Sequence, residues 1–180
     1  MARKVATVVS SETVFSGRVF GVQRDDVVEP DGLRATREMV THPGSVVVMP
    51  VFPNGDVLMV RQYRHSAEQY LWELVAGRRD PGESPLSGAK RELLEETGYA
   101  ARRYKQMLDV YPTPGFVRER MWIFVAEGLL EGKAQPEEDE HITARRFPLA
   151  KALKMIGTGK IHDAKSVAGI LFYARFVRRK

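Results

Sequence analysis

Apolar positions along this chain follow two periods, and each predicts its own kind of element. From Thr13 to Val28, and again from Leu33 to Thr41, Val, Phe and Thr alternate loosely with polar residues. Glu29-Pro30-Asp31-Gly32 stands between them, so the pattern predicts short strands joined by a turn. Pro43-Gly44 breaks the chain before Ser45–Val51, a continuous apolar run of the kind buried on both faces of a sheet. Asn54-Gly55 predicts a hairpin, with Asp56–Gln62 as its return strand. Tyr70–Val75 predicts one further strand leading directly into a loop at Gly77, and later strands are predicted at Tyr104–Val110, Arg120–Ala126 and Ile142–Pro148.

The longer period predicts three helices. One opens at Ser84-Pro85, where a proline lacking its N–H costs nothing, and stops at Gly98, which suits a left-handed cap. Leu86, Ala89 and Leu93 form its apolar stripe. A second has Pro148 near its start and Gly157 near its end, with Leu149, Leu153 and Ile156 on one side. A third opens at Asp163, a good N-cap, and carries Val167, Ile170, Leu171 and Ala174 at helical spacing. Mixed strands with helices on both sides predict an α/β class, a three-layer α/β/α sandwich preceded by an N-terminal β-strand region. Residues 1–42 are expected to form that region and residues 43–180 the main domain.

Composition narrows the class without naming a function. A chain of 180 residues, 43% hydrophobic and 28% charged, can bury a core of its own and reads as an ordinary globular protein. No apolar run is long enough to span a bilayer, and the short patch Val5–Val9 behind Arg3-Lys4 is not expected to be a signal peptide. The absence of cysteine excludes disulfides, thiolate zinc sites and a cysteine nucleophile, and it suits a cytoplasmic setting. A net charge of +5 favours anionic partners, nucleotide or nucleic acid alike.

The chemistry gathers between Gly77 and Tyr99. On a helix Glu92 and Glu96 share one face, with Glu95 beside them. Like charges so placed repel, and a hard cation such as Mg²⁺ would reverse that sign. Gly77, Glu83, Arg91, Glu92, Leu93, Glu95, Glu96 and Gly98 stand at the spacing of the Nudix box, and the chain resembles the Nudix hydrolases. Only Tyr99, in place of an aliphatic residue, departs from the pattern. Pro114, sixteen residues after Gly98 in Tyr-Pro-Thr-Pro-Gly-Phe116, resembles the ADP-ribose pyrophosphatase branch of that family. The segments Arg37–Val40, Val60–Arg64 and Glu73–Gly77 are similar to it too, so the likeness spans about residues 15–175.

The resemblance implies the same α/β/α sandwich and Mg²⁺-dependent hydrolysis of ADP-ribose to AMP and ribose 5-phosphate. It implies metal ligation by Glu92, Glu95, Glu96 and the Ala76 carbonyl, with Mg²⁺ or alternatively Mn²⁺, about two or three ions per site. Arg91 is expected to orient a glutamate and Glu83 to act structurally. Glu140, in the acidic run Gln135–His141, is the expected general base, with Glu137, Glu138 and Asp139 leaving the register open. Arg64 is expected on phosphate, and Arg37 with Glu38 on the nucleotide or terminal ribose. Phe20 is expected either on adenine or in the core. The branch also implies a homodimer formed through the N-terminal strands. Alternatives are the same chemistry on GDP-mannose, FAD or NADH, or a non-catalytic protein that binds ADP-ribose or nucleic acid. The complete box argues against the sensor. Arg102-Arg103-Tyr104-Lys105 and the basic C-terminal segment supply charge but no nucleic-acid motif.

Overall fold

The computed structural model describes residues 5–134 and 142–178. Its elements in chain order are β1 (Thr7–Ser16), β2 (Gly21–Val28), β3 (Arg34–Thr41), β4 (Ser45–Val51), β5 (Asp56–Arg64), β6 (Gln69–Glu73) and β7 (Val75–Arg78). Then come α1 (Pro85–Thr97), β8 (Tyr99–Val110), β9 (Val117–Arg118), β10 (Met121–Glu131), β11 (Thr143–Pro148), α2 (Leu149–Gly157) and α3 (Ala164–Phe172). Contacts divide the chain into two units: residues 1–44 with 113–119, and residues 45–112 with 120–180.

The first unit is a four-stranded sheet in the order β1-β2-β3-β9. Its strand β1 is exposed along its whole length, with Val8, Val9, Val14 and Phe15 each about half accessible or more. Pro114 lies in the segment that brings β9 alongside β3, where Val117 pairs with Val40.

The second unit holds the main sheet, ordered β11-β5-β4-β10-β8, with β6 on β5 and β7 on β4. Strands β4 and β10 run parallel at its centre, Val47 opposite Ile123. Alternation explains the continuous apolar runs: Val47, Met49, Ile123 and Val125 face one core, Val46, Val48, Phe124 and Ala126 the other. Leu149, Ala152, Met155 and Ile170, from α2 and α3, close the first core, while Ala89 and Leu93 from α1 close the second. The three-layer α/β/α arrangement is therefore present.

Three local expectations are corrected. The strand predicted over 70–75 is two strands, because the Leu74 N–H donates to Ser166 Oγ at 2.7 Å rather than to a ladder partner. There the chain leaves β5, with Glu73 opposite Val60, and joins β4, with Val75 opposite Val48. Gly77 thus lies in β7, opposite Val46, and not in a loop. Leu86 and Leu171 were expected on buried stripes, yet both are exposed; the buried positions of α1 and α3 include Ala89, Leu93 and Ile170.

Candidate active site

Helix α1 begins where the sequence requires. Ser84 Oγ accepts from the Ser87 N–H at 3.1 Å, Pro85 occupies the first turn, and Gly98 closes the helix at φ 74°. Its inner face carries the buried residues Ala89, Glu92, Leu93 and Glu96. A buried carboxylate is costly unless charge or hydrogen bonds meet it, so two of them one turn apart are the notable feature of this helix.

Gly77 explains how Glu92 fits. A Cβ built on Gly77 would lie 1.9 Å from Glu92 Cδ and 2.0 Å from its Oε1, so the carboxylate rests directly on the bare backbone of β7. Ala76, the preceding residue of that strand, pairs with Val47 of β4.

Arg91 ties the cluster together. Its Nη1 donates to Glu92 Oε1 at 2.8 Å and to Glu95 Oε2 at 2.9 Å. Its Nε and Nη2 reach the two Glu83 oxygens at 3.1 and 3.0 Å, and Nη2 also donates to the Arg78 carbonyl at 2.9 Å. Asp80 stands 3.6 Å away. The hydrogen bond from Arg91 is the main reason that the Glu83 carboxyl lies below its ordinary range, and the same bond raises the guanidinium further. Arg79 Nε holds the Glu83 carbonyl at 3.0 Å, fastening the loop before the helix.

Among the described residues no three Asp, Glu, His or Cys side chains converge into a ready-made metal cage. The donor set nevertheless fits a hard divalent ion: it is all oxygen, Glu92 and Glu96 are buried, and carboxylates outnumber the guanidinium that gathers them.

Arg64 ends β5 and lies against Glu73 as a two-pronged pair, Nε to Oε1 and Nη2 to Oε2, both at 2.8 Å. Lys165 also donates to Glu73 Oε2, and reaches Asp163 Oδ1 at 2.9 Å. Asp163 caps α3 through the Ser166 N–H at 3.0 Å and accepts from Ser166 Oγ at 2.5 Å. Burial by itself would raise Glu73; the Arg64 hydrogen bond and the Lys165 charge outweigh it and hold the carboxyl below its usual range. The charges of Glu73, Glu96 and Asp163 all act on Arg64, which places its guanidinium in the field of the α1 carboxylates.

The other expected substrate contacts lie in the first unit. Arg37 pairs with Glu29 at 2.6 Å, Glu38 accepts from Arg24 at 3.1 Å, and Phe20 is 45% exposed beside Phe15, ring centres 5.7 Å apart. Phe20 is therefore not a core residue in this chain. Glu140, with the rest of the run 135–141, lies outside the described residues. Sequence reasoning missed Glu73, Lys165 and Asp163 as a network. Its one signal was a glutamate inside an apolar strand, since Lys165 lies 92 residues away from Glu73.

Comparison with known proteins settles the family. Residues 41–169 match the pattern described as the NUDIX domain. The chain belongs to the Nudix hydrolases. It is 38% identical over 166 residues to an ADP-ribose pyrophosphatase of Bacillus subtilis (strain 168), covering 91% of this chain and 90% of that one. It is 38% identical over 174 residues to an ADP-ribose pyrophosphatase of Mycobacterium tuberculosis (strain ATCC 25618 / H37Rv), covering 95% and 84%. The crystal structure of an ADP compounds hydrolase superposes with a TM-score of 0.86 at 26% identity, covering 98% of this chain and 96% of that chain. This Nudix hydrolase is thus an enzyme of phosphoanhydride bonds, closely related to the ADP-ribose pyrophosphatase branch.

Proposed function

We propose that this Nudix hydrolase splits ADP-ribose into AMP and ribose 5-phosphate. The observation that carries the reading is the seating of two buried carboxylates, Glu92 and Glu96, on the face of α1 that meets Gly77. It is joined by the similarity to two ADP-ribose pyrophosphatases over nearly the whole chain.

Glu92, Glu96, Glu95 and the Ala76 carbonyl would hold Mg²⁺, or alternatively Mn²⁺, about two or three ions per site. When bound, the ions supply charge neutralisation at the diphosphate and make water a better nucleophile at neutral pH. Arg91 positions the carboxylates by holding one oxygen of Glu92 and one of Glu95. Arg64 uses Nε and Nη2 on Glu73, and Nη1 is its remaining nitrogen for a phosphate oxygen. Glu140 takes the proton of the attacking water as the new O–P bond forms and the anhydride P–O bond breaks. Arg37, Glu38 and Phe20 contact the nucleotide or terminal ribose, and Pro114 shapes the loop that favours ADP-ribose. The enzyme acts in the cytoplasm as a homodimer. The exposed apolar length of β1, at the edge of its sheet, supports that assembly. Among the described residues no helix is long and apolar enough to cross a membrane.

The test is product identity across a panel of ADP-ribose, GDP-mannose, FAD and NADH with Mg²⁺. AMP released fastest from ADP-ribose is the expected result. Faster cleavage of GDP-mannose would replace the substrate while keeping the chemistry, and retention of ADP-ribose without any product would remove the enzyme. In the same assay Glu140→Gln should slow turnover with nucleotide affinity unchanged; a silent Glu140→Gln beside a crippled Glu138→Gln would move the base.

A further inference from the structure

The basic segment that the activity leaves unused, Arg102-Arg103-Tyr104-Lys105, lies on β8, the edge strand of the main sheet. There it lines a cleft of about 530 Å³ together with Leu86 and Lys90 of α1. That volume is within the range of small-molecule sites. Of the four cations that border it, Lys90 and Arg102 accompany Tyr104 on the α1 side, whereas Arg103 and Lys105, at the alternate positions of β8, pair with Glu127 and Val125 on the other face, Arg103 standing 3.5 Å from Glu127. Among the described residues Lys90, Arg102 and Lys105 make no salt bridge.

The walls are not merely basic. Leu86 and Ala101 contribute apolar surface, and the half-buried Tyr104 ring stands there with Lys90 Nζ 5.9 Å from its centre. Gly128, at φ 68°, brings β10 close beneath Arg102: a Cβ there would meet Arg102 Cβ at 3.2 Å. The arginine stem therefore lies across bare backbone at the rim of the cleft.

Helix geometry separates this cleft from the carboxylates. At about 100° per residue, Lys90 points roughly 160° away from Glu92 and roughly 120° away from Glu96. One flank of α1 thus carries the acidic site and the other the basic cleft.

We propose that this cleft is a second binding site, for a nucleoside phosphate, distinct from the catalytic carboxylates. Lys90 and Arg102 meet the phosphates, and Tyr104 with Leu86 takes the nucleoside. Cations on a low-dielectric wall attract phosphate more strongly than scattered surface lysines do, and an apolar floor with an aromatic ring separates a nucleotide from a bare polyanion.

The experiment titrates the full-length protein, in EDTA, with ATP and with inorganic tripolyphosphate, by calorimetry. ATP should bind at least tenfold tighter than tripolyphosphate, a ligand of similar charge that lacks the nucleoside. The charge-reversed variant K90E/R102E, both positions exposed, should lose at least tenfold in ATP affinity while ADP-ribose turnover stays within twofold of wild type. Equal affinity of the variant and wild type for ATP would overturn the site. Equal affinity for ATP and tripolyphosphate would overturn the nucleoside, and absence of ATP binding to wild type would overturn the proposal as a whole. Arg102→Gln, milder at the same rim, repeats the test should the double variant melt early, and an unchanged ATP affinity there would also overturn it.

Discussion

Two ionic networks flank the main sheet, and their stoichiometries are opposite. Around Arg91 one guanidinium gathers Glu83, Glu92 and Glu95, with Asp80 at 3.6 Å. Around Glu73 one fully buried carboxylate gathers two cations, Arg64 and Lys165, and Asp163 balances the second. The Glu73 network is close to neutral and joins β5, β6 and α3, so its charges balance one another within the fold. The Arg91 network keeps a surplus of negative charge on a fixed framework. A surplus of that kind disfavours the protein alone and favours it with divalent cations bound. Salt bridges of similar length therefore serve different ends, and the charge count distinguishes them where the distances do not.

The sharpest way to break this contrast is Glu96→Gln. If the buried Glu96, on the α1 face it shares with Glu92, holds metal as proposed, its loss should lower turnover by about 10²- to 10³-fold, the equivalent of several kcal/mol of transition-state stabilisation. Thermal stability without metal should stay level or rise, because one buried charge is removed. Steady-state assays over a Mg²⁺ series, paired with melting curves, check both halves; normal turnover at high Mg²⁺ would remove Glu96 from the site.

Glu73→Gln should do the reverse. Removing the one carboxylate strands Arg64, leaves Lys165 with Asp163 alone and should cost about 3 kcal/mol of stability, read as a fall in denaturation midpoint. A variant as stable as wild type would show that the neutral network is not structural.

Gly77→Ala should come next. The added methyl displaces the Glu92 carboxylate, and metal affinity should fall about tenfold or more while the sheet still forms. Mg²⁺ titration of activity with circular dichroism as control tests this, and unchanged affinity would disprove the cradle.

The smallest effect is on acid stability. The Glu83 carboxyl is lowered from its ordinary 4.5, chiefly by Arg91. A carboxylate lowered in the folded state contributes stability that is fully present above 4.5 and is lost as pH falls through the lowered value. Wild type should therefore exceed Glu83→Gln in stability above that pH, and the difference should shrink on acidification below it. A gap constant across that window would place the contribution of Glu83 elsewhere.

Much of this molecule was legible residue by residue. Ser84, Pro85 and Gly98 bounded α1 because capping depends on neighbours along the chain. The apolar run at β4 announced a strand buried on both sides because successive side chains alternate. Local rules failed where a distant group intervened. Ser166 takes the N–H of Leu74 and divides one expected strand into two, and no periodicity contains that information.

The site divides the same way. Spacing alone put Glu92 and Glu96 on one helical face, since a helix turns by a fixed angle per residue. Only the folded chain decided that Gly77 would lie in a strand beneath Glu92, that Lys165 would reach Glu73 across 92 residues, and that Lys90 would close a cleft with β8. Backbone geometry carries short-range order along the chain, whereas contacts between remote segments depend on how the layers pack.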